Sequence, residues 1–524
     1  MSETMQQLLR ARAEDDAVGV RYGDMSWTWR KHLAEAAAEA SAVIAVAEPG
    51  RPLHVGVLLG NTPDMLRSMA AAALGGYVLV GLNTTRQGDA LLADVRRADC
   101  QVVLVNGEHA GLLEGLDLGD VRVIDVDSAE WQESVAAAGP LEPYAEVGAM
   151  DTFMMIFTSG TSGEPKAVQV PHIFPIFAGA NLVDRFSLTA DDVCYVSMPL
   201  FHSNAVVAGW AVALSCGATV VPARFSASRL LDDVRHYGAT YMNYVGKPLA
   251  YVLATPERPD DADNPLRVAF GNEASDRDIE EFAARFGCVV MDGFGSTESA
   301  ITVTRVPGTP KGSIGQGLEG VAIYDPETVT ECPIAEFDEN GALLNADQAV
   351  GELVNTQGGG MFQGYYNDQA ANDERLRHGM YWSGDLAYKD ADGFVYLAGR
   401  TADWMRVDGE NLAAAPIERI LLRLPAVNRV AVYAVPDPNV GDQVMAAVVL
   451  QDDATLSPAE LEAFLGSQAD LSSKAWPRYV RIASDLPSTA TNKVLKRELI
   501  QQGPTAGDGT LWVREERGTA YAEA

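Results

Sequence analysis

The 524-residue sequence contains few cysteines and no cysteine pair of the CxxC type. The cysteines are Cys100, Cys194, Cys216, Cys288 and Cys332. Their odd number and wide spacing predict free, buried thiols in a reducing compartment rather than disulfides or zinc sites. The seven histidines likewise include no HExxH motif, so a zinc hydrolase of that type is not expected.

Positive charge is also scarce, because 39 Lys and Arg residues stand against 72 Asp and Glu residues, a net charge of −33. A chain of this charge repels nucleic acid and anionic lipid at long range, so no nucleic-acid partner is expected. An anionic substrate would require a pocket in which basic groups are gathered locally. Most of the acidic residues are expected simply to solvate the surface.

Long apolar runs are missing as well. The longest, residues 69–82, is shorter than the ~20 residues that span a bilayer and is rich in Ala and Gly. The charged N-terminal residues do not resemble a signal peptide. We therefore expect no transmembrane segment and a cytoplasmic location. A weak association with membranes and a homodimer remain open.

Apolar content of 47% is typical of globular proteins, and the length suggests several domains. Short apolar runs alternate with amphipathic stretches over residues 54–126 and again over 191–294, which predicts an α/β fold of parallel sheets covered by helices. From about residue 312, short alternating runs separated by Gly and Pro predict a β-rich subdomain.

We place the domain boundaries from this change in sequence pattern. We expect a large N-terminal domain over residues 1–401 and a small, mobile α+β lid over residues 403–503. Within the lid, residues 411–425 and 457–468 read as helices, the second with a proline in its first turn. Residues 504–524 read as a loose polar tail.

The segment 154–170 carries the most informative motif. An apolar strand runs into Thr158-Ser159-Gly160-Thr161-Ser162-Gly163, followed by Pro165-Lys166. Glycines allow several backbone N–H groups to face one anion, hydroxyls add donors, and Lys166 adds charge. This pattern predicts a polyphosphate site. It is not a Walker A loop, since no glycine directly precedes Lys166 and no Ser or Thr follows it.

Four further segments offer chemistry, although each is weak alone. Gly293–Ser299 follows a strand and places Thr297 beside Glu298, whose carboxylate could hold Mg²⁺ on a triphosphate. Asp385 could accept the hydroxyls of a ribose, and Lys493 lies in a polar loop. His202 follows a strand, where a packing role is the more frequent one for histidine. The run Gly315–Gly320 matches G-x-G-x-x-G, but a strand-like segment follows it, so a dinucleotide site is rejected.

Taken together, these motifs resemble the adenylate-forming enzymes, which include acyl-CoA synthetases, luciferases and peptide-synthetase adenylation domains. Thr158–Lys166, Gly293–Glu298, Ser383–Asp385, Gly399-Arg400 and Pro487…Lys493 occur in that superfamily's order and approximate spacing, across about residues 15–500. The segment 406–418, with its Gly-Glu-Asn, is similar to that of FadD-type acyl-CoA synthetases. Residues 197–206, 243–249 and 486–499 resemble most closely the branch linked to steroid side-chain degradation.

The resemblance implies a role for each motif residue. Those expected to bind ATP or AMP are Thr158, Ser159, Gly160, Thr161, Ser162, Gly163 and Lys166 (β- and γ-phosphates), Gly271, Asn272, Glu273, Asp292, Gly293 and Phe294 (adenine), and Asp385 and Arg400 (ribose). Those expected to be catalytic are Lys493, between the acyl carboxylate and the α-phosphate, Thr297 at the α-phosphate, Glu298 on Mg²⁺, and His202 at the mouth of the acyl pocket. Those expected to line the CoA channel are Gly409, Glu410 and Asn411.

The sequence departs from the family's usual pattern at two positions. Asn492 stands where the family usually has Gly before the lysine, which puts the reach of that loop in doubt. Ala402 stands at the expected hinge, where Asp or Lys is common, so the rotation of the lid could be tuned differently.

The resulting hypothesis is an ATP-dependent acyl-CoA synthetase that activates a hydrophobic acid, either a long-chain fatty acid or a steroid side-chain acid, with ATP, Mg²⁺ and coenzyme A. One alternative is an acyl-AMP ligase that loads a carrier protein. Another, from a different class, is a lipid-binding or uptake protein with a residual nucleotide site.

Overall fold

The computed structural model describes residues 2–159, 165–246, 248–339, 341, 343–400, 404–407, 410–437, 441–471, 473–488, 494–515 and 518–524. Of a few of these only the backbone is described: Ser159, Arg400, Trp404, Arg406, Glu410, Asn411, Asp437, Gly441 and Ser473.

Helices and strands alternate over the first 300 residues, as the apolar runs predict. The strands are β1 (Val18–Tyr22), β2 (Met25–Thr28), β3 (His54–Leu58), β4 (Val78–Gly81), β5 (Val102–Val105), β6 (Arg122–Asp125), β7 (Thr152–Ser159), β8 (Pro165–Pro171), β9 (Val193–Val196), β10 (Thr219–Pro222), β11 (Tyr241–Val245), β12 (Val268–Asn272) and β13 (Val289–Asp292). The helices are α1 (Met5–Arg10), α2 (Trp29–Ala45), α3 (Pro63–Gly75), α4 (Gly88–Arg97), α5 (Ala129–Ala136), α6 (Ile173–Phe186), α7 (Ser203–Ala205), α8 (Ala211–Cys216), α9 (Leu230–Tyr237), α10 (Pro248–Leu253) and α11 (Asp276–Phe286).

Strands dominate the remainder of the chain. They are β14 (Val303–Thr304), β15 (Gly315–Gly317), β16 (Val321–Asp325), β17 (Thr330–Glu331), β18 (Gly351–Asn355), β19 (Leu376–Arg377), β20 (Met380–Lys389), β21 (Phe394–Arg400), β22 (Trp404–Val407), β23 (Glu410–Ala413), β24 (Val427–Asp437), β25 (Gly441–Leu450), β26 (Tyr479–Ile482), β27 (Thr510–Arg514) and β28 (Tyr521–Glu523). The helices are α12 (Ala346–Ala349), α13 (Gln369–Arg375), α14 (Ala414–Leu421), α15 (Pro458–Ser467) and α16 (Lys496–Gln502).

The chain divides into two compact units. The first unit contains residues 1–300 and 359–374, and the second contains residues 301–358 and 375–524. This division falls earlier than the predicted boundary at residues 401–403. Those three residues lie outside the described part of the chain, so the hinge at Ala402 stays a prediction.

Two sheets form the first unit. One has the strand order β6-β5-β3-β4-β7-β8 and is parallel except for the β7–β8 pair. The other has the order β13-β12-β11-β9-β10-β1-β2 and is parallel except for the β1–β2 pair. One hydrophobic core packs helices α2 and α3 with strands of both sheets, which confirms the layered α/β fold.

Local sequence explains how α3 is delimited. The Thr62 side chain accepts a hydrogen bond from the Met65 N–H, Pro63 occupies the first turn, and Gly76 ends the helix with a φ of 68°. Just before this helix, the Asn61 amide donates to the carbonyls of Val196, the last residue of β9, and Ala223, which follows β10, at 3.2 and 3.1 Å. The end of β3 in one sheet is thereby joined to the other sheet.

The second unit also contains two sheets. The β-rich subdomain has the order β14-β15-β21-β20-β18-β16-β17, with β19 on β20, and each of its pairings is antiparallel. The lid sheet, which begins at Trp404, has the order β23-β22-β25-β26-β27-β28, with β24 on β25. Helix α15 begins with Ser457 and Glu460 capping each other's backbone around Pro458, which confirms the predicted helix start.

Two expectations for this unit are wrong. Residues 411–413, predicted as helical, belong to β23 and pair with β22, so α14 begins only at Ala414. The predicted loose tail contains β27 and β28, which extend the lid sheet, and Trp512 and Tyr521 are buried in the lid core. The first error arises because Ala-rich composition hides a local hairpin between β22 and β23. The second arises because β27 pairs with β26, about thirty residues earlier in the chain.

The cysteines agree with the expectation of free thiols. Cys100, Cys194 and Cys288 are buried, whereas Cys216 and Cys332 are partly exposed. Within the described ranges, no helix combines the length and hydrophobicity needed to cross a bilayer.

Candidate active site

The predicted phosphate segment connects two paired strands. Strand β7 pairs with β8 in antiparallel register, with Thr158 opposite Lys166 and Ser159 opposite Pro165. The return strand β8 was not foreseen from the sequence. Gly160, Thr161, Ser162 and Gly163, together with Glu164, lie outside the described residues. The hairpin therefore fixes where the predicted polyphosphate loop begins and ends.

Lys166 is buried at the start of β8 and is only 4% exposed. Its ammonium lies 3.3 Å from Glu374 Oε2 and 5.1 Å from the centre of the Tyr365 ring. A buried ammonium is costly unless it is paired, and here a carboxylate and an aromatic face share that role. Neither partner was identified from the sequence.

Thr297 and Glu298 each have a defined partner within the first unit. The Thr297 hydroxyl lies 2.9 Å from the Ser203 hydroxyl. The Tyr365 hydroxyl donates to Glu298 Oε1 at 3.0 Å. In the described part of the chain, Glu298 Oε2 has no hydrogen-bond partner, so one carboxylate oxygen is held and the other is available.

The Glu298 carboxylate fits a magnesium ion that binds together with a nucleotide. Among the described residues, no three His, Cys, Asp or Glu side chains cluster as a metal cage. Mg²⁺ usually takes one or two carboxylates together with phosphate oxygens and water. A single available oxygen on Glu298 matches that mode of binding better than it matches a resident metal.

The predicted adenine residues lie where β12 and β13 end side by side. Gly271 is opposite Asp292 in the parallel register. Asp292 accepts hydrogen bonds from the Tyr244 hydroxyl and from the Ala274 N–H. The Asn272 amide donates to the Gly293 carbonyl at 2.6 Å.

The backbone at the ends of β12 and β13 leaves little room for a side chain. A Cβ on Gly271 would lie 2.3 Å from the Tyr244 carbonyl oxygen, so only glycine fits there. Glu273 has a φ of 65°, a left-handed conformation that is uncommon for residues other than glycine. Phe294 is partly exposed, as stacking on a base would require. The structure thus brings Gly271, Asn272, Glu273, Asp292, Gly293 and Phe294 together.

His202 precedes helix α7 and is a neutral base at ordinary pH. Burial lowers the pKa of its imidazole to about 4. Its Nε2 is buried without a hydrogen-bond partner among the described residues, and its ring lies 4.7 Å from that of Phe201. This environment suits contact with an apolar group better than proton transfer at neutral pH.

A chain of asparagines follows His202 and was missed from the sequence. The Asn204 amide donates to Asn272 Oδ1 at 3.1 Å and to the Tyr244 carbonyl at 3.2 Å. The Asn243 amide donates to Asn204 Oδ1 at 2.7 Å. The segment after His202 is thereby tied to the adenine edge. An isolated asparagine in a short run gives no sequence signal for such a network.

The apolar residues that follow are packing residues. Val206–Trp210 form a π-helical turn between α7 and α8. Trp210 is fully buried and stacks on Phe153 with ring centres 6.0 Å apart. Ala205, Val206 and Trp210 therefore belong to the core, and their apolar character alone does not define the acyl substrate.

In the second unit, the predicted ribose residue Asp385 lies within β20, where the pairing of β18 with β20 shifts register. Ser383 donates to the Leu353 carbonyl at 2.7 Å, and its oxygen accepts from the Asp385 N–H at 3.0 Å. Glu352 accepts from the Gly384 N–H at 2.7 Å, and Arg377 contacts the same carboxylate at 2.9 Å.

Burial is the main cause that raises the pKa of Glu352, against the opposing pull of the Gly384 N–H and Arg377. Gly384 has a φ of 75°, and a Cβ there would strike the Arg375 guanidinium. Asp385 is opposite Arg400 in the β20–β21 register, and the Arg400 side chain lies outside the description. Glu352 therefore supports the irregular part of β20 that carries Asp385.

The remaining predictions fall mostly outside the described residues. Lys493, Ala402 and Gly409 are not described, and Glu410 and Asn411 are described only as backbone in β23. Ser488 and Val494 form an antiparallel bridge on either side of the undescribed residues 489–493. The roles proposed for these residues stay predictions.

Two family models match most of the chain. The AMP-binding enzyme model matches residues 9–366, and the AMP-binding enzyme C-terminal domain model matches residues 416–493. A medium/long-chain-fatty-acid–CoA ligase of Mycobacterium marinum is 53% identical, over 98% of this chain and 99% of its own length. A steroid-22-oyl-CoA synthetase of Rhodococcus jostii is 47% identical, over 95% of this chain and 91% of its own length.

Solved structures support the fold. The ATP-bound MatB of Rhodopseudomonas palustris superposes with a TM-score of 0.83 at 22% identity, covering 96% of this chain and 99% of that one. The anthranilate CoA ligase AuaEII, in complex with anthranoyl-AMP, gives a TM-score of 0.83 at 20% identity, covering 97% and 100%. By family match, relatives and fold, the chain belongs to the adenylate-forming, AMP-binding enzyme family.

Proposed function

We propose that this protein is an ATP-dependent acyl-CoA synthetase, an acid–thiol ligase that activates a hydrophobic carboxylic acid through an acyl-AMP. The observation that carries the proposal is the grouping in the first unit of Lys166, Glu298 and Thr297 beside the predicted polyphosphate hairpin. Relatives named as CoA ligases cover nearly the whole chain and support the same activity.

The first half-reaction joins two anions. A carboxylate oxygen of the acid bonds to the α-phosphorus of ATP, the bond from that phosphorus to the pyrophosphate oxygen breaks, and pyrophosphate leaves. Lys166 and the hairpin N–H groups hold the departing phosphates, and Thr297 donates to the α-phosphate. Lys493 lies between the reacting anions and offsets their repulsion. A magnesium ion held at Glu298 would neutralise phosphate charge when bound.

The second half-reaction uses the thiol of CoA. Its sulfur, having lost its proton, bonds to the acyl carbon, and AMP leaves with the electron pair of the broken C–O bond. The segment of Gly409, Glu410 and Asn411 guides the pantetheine arm. Water must be excluded between the two steps, because acyl-AMP is a mixed anhydride, and rotation of the lid about Ala402 provides this.

The substrate is a long apolar or polycyclic acid. His202, neutral and buried beside Phe201, offers no charge to pair with an ammonium group, so an amino acid would leave its own charge unpaired. The relatives named for medium- or long-chain fatty acids and for a steroid acid support both classes. Mass-spectrometric screening of fatty, steroid side-chain and short acids discriminates between them, and faster turnover of acetate than of every long or polycyclic acid would contradict this choice.

One assay tests the function itself. The protein is incubated with ATP, Mg²⁺ and a fatty or steroid acid, with and without CoA, while pyrophosphate and thioester are measured. An acyl-CoA synthetase releases pyrophosphate as it forms acyl-AMP. It forms thioester only when CoA is present. Adenylate without thioester would indicate an acyl-AMP ligase. Acid binding with neither product would indicate a lipid-binding protein.

A further inference from the structure

Tyr365 lies on a short segment that joins the first unit from a distant part of the sequence. Residues 359–374 belong to this unit although the chain is in the second unit immediately before and after them. The segment pairs with β8, where the Gln169 N–H donates to the Gly364 carbonyl at 3.0 Å and the Tyr366 N–H donates to the Ala167 carbonyl at 2.8 Å. Tyr365 is therefore fixed opposite Val168, two residues along β8 from Lys166.

The conformation of Tyr365 is set by its neighbours. Its N–H donates to Asn372 Oδ1 at 2.6 Å, and its carbonyl accepts from the Asn372 amide at 3.1 Å. The Phe362 ring meets its ring edge-on, with centres 5.1 Å apart. Only 2% of Tyr365 is exposed. A side chain so constrained can hold other groups in place.

The hydroxyl and the ring of Tyr365 each contact a charged side chain that is proposed to bind Mg²⁺ or phosphate. The hydroxyl donates to Glu298 Oε1, and the ring face lies beneath the Lys166 ammonium. A hydrogen bond to one carboxylate oxygen fixes the rotation of that carboxylate and directs the other oxygen to a metal. The ring contributes to holding Lys166 without consuming its N–H donors.

We propose that Tyr365 is a positioning residue. It holds the Glu298 carboxylate in place for Mg²⁺ and the Lys166 ammonium in place for phosphate. Tyr365 does not touch the reacting atoms. This inference rests on the proposed function, because it assumes that Glu298 holds the metal and that Lys166 holds a phosphate. It adds a residue that none of the nucleotide-site motifs read from the sequence contains.

The test separates the two contacts. Tyr365→Phe keeps the ring and removes the hydroxyl, whereas Tyr365→Leu removes both. Binding of Mn²⁺, as a probe for Mg²⁺, is measured by electron paramagnetic resonance with a non-hydrolysable ATP analogue. Tyr365→Phe is expected to weaken Mn²⁺ binding about tenfold. Affinity for the analogue without metal should stay unchanged in Tyr365→Phe and fall in Tyr365→Leu.

The adjacent tyrosine supplies a matched control. The Tyr366 hydroxyl donates to Asp99 at the same distance, 3.0 Å, away from Glu298. Tyr366→Phe should leave Mn²⁺ binding unchanged, so an equal loss in both variants would overturn the proposal as a general effect of destabilisation. Thermal unfolding of each variant shows whether it is folded. Unchanged Mn²⁺ affinity in folded Tyr365→Phe would also overturn it.

A second control distinguishes failure of this inference from failure of the proposed function. Glu298→Gln should weaken Mn²⁺ binding more than Tyr365→Phe does, and the double variant should be no weaker than Glu298→Gln alone. If Glu298→Gln changes nothing, the metal role of Glu298 is wrong and the proposal loses its basis. If Glu298→Gln weakens binding and Tyr365→Phe does not, only the positioning role is wrong.

Discussion

The segment of Lys166, proposed to bind phosphate, and the segment of Lys493, proposed to be catalytic, are held by different kinds of interaction. Lys166 is the second residue of β8, a strand of seven residues whose backbone pairs along its length with β7. At the described residues that flank Lys493, Ser488 and Val494 form a backbone bridge, and side-chain contacts of Arg429 and Lys496 add to it.

Two ion pairs anchor this second segment. Arg429 is buried and contacts Asp485, and it also donates to the Ser488 hydroxyl at 2.6 Å. On the other side, the Lys496 ammonium lies 2.9 Å from Glu418 Oε1, an oxygen that also accepts from the Val432 N–H. A backbone ladder tolerates changes of side chain, whereas side-chain anchors are lost with a single substitution. The two segments should therefore differ in their sensitivity to mutation.

The largest effect is expected at Lys493 itself. Lys493→Ala removes the cation proposed to lie between the reacting anions, so acyl-AMP formation should fall by about 10²–10³-fold. Thioester formation from supplied acyl-AMP should survive much better. Both half-reactions are measured separately by pyrophosphate release and by mass spectrometry, with the exposed Lys31→Ala as control. Near-normal adenylation would remove Lys493 from this role and make Lys496 the next candidate.

The next largest effect is expected at Ala402, the proposed hinge of the lid that carries Lys493. Proline fixes φ near ~−65° and removes an N–H, so Ala402→Pro should trap one position of the lid. If the trapped position presents Lys493, adenylation persists and thioester formation is strongly reduced. Ala402→Gly keeps the torsional freedom and serves as control. Equal losses in both half-reactions, or none in either, would contradict a hinge at this residue.

A paired substitution tests the comparison directly. Arg429→Ala should lower adenylation about tenfold, because a small misplacement of a catalytic group is costly. Gln169→Ala, on the β8 ladder, should have little effect since the backbone pairing remains. Arg423→Ala is the matched control in the lid, where this arginine forms an exposed pair with Asp470. Comparable losses in Arg429→Ala and Gln169→Ala would show that the two segments are anchored alike.

The last prediction concerns the stability of the fold in acid rather than activity. Burial lowers the pKa of His32 and of His172 to about 4, against 6.5 in the unfolded chain. The unfolded state therefore binds more protons between pH ~6.5 and ~4, and the free energy of unfolding falls as pH falls through that window. The loss is about 3 kcal/mol for each group at most. Both histidines lie in the first unit, so that unit should loosen in acid before the lid.

Urea unfolding at pH 7 and pH 5 measures this difference. His172→Leu should flatten the dependence on pH, even if packing at the site changes, because the titrating group is gone. The exposed His236→Gln should leave the slope as it is. An unchanged slope in His172→Leu would contradict burial of a neutral imidazole as the source of acid sensitivity.

Local patterns in the sequence predicted the elements that they encode. The run 267–271 corresponds to β12 at Val268–Asn272, and the helix over 457–468 begins at Pro458 as expected. The resemblance assigned residues 271–273 and 292–294 to adenine, and the structure places them at the ends of neighbouring strands, while their binding role stays a prediction. These features depend on residues close together in the chain.

Features that depend on distant residues were not predicted. Tyr365 and Glu374 reach Lys166 across about 200 residues of sequence, and Glu352 supports Gly384 from another strand. The strand at 411–413 is a different case, because its Ala-rich composition favours a helix and a local hairpin with β22 overrides that preference. Tertiary contacts decide such positions, and one sequence contains no direct record of them.

The two C-terminal strands bear on how the lid could be shortened. A fragment that ends at residue 503 would lack β27 and β28 and would lose Trp512 and Tyr521 from its core. One side of β26 would then expose unpaired N–H and C=O groups, and another chain can pair with such an exposed edge. Removal of these residues would therefore favour self-association and misfolding of the lid rather than trim an inert end.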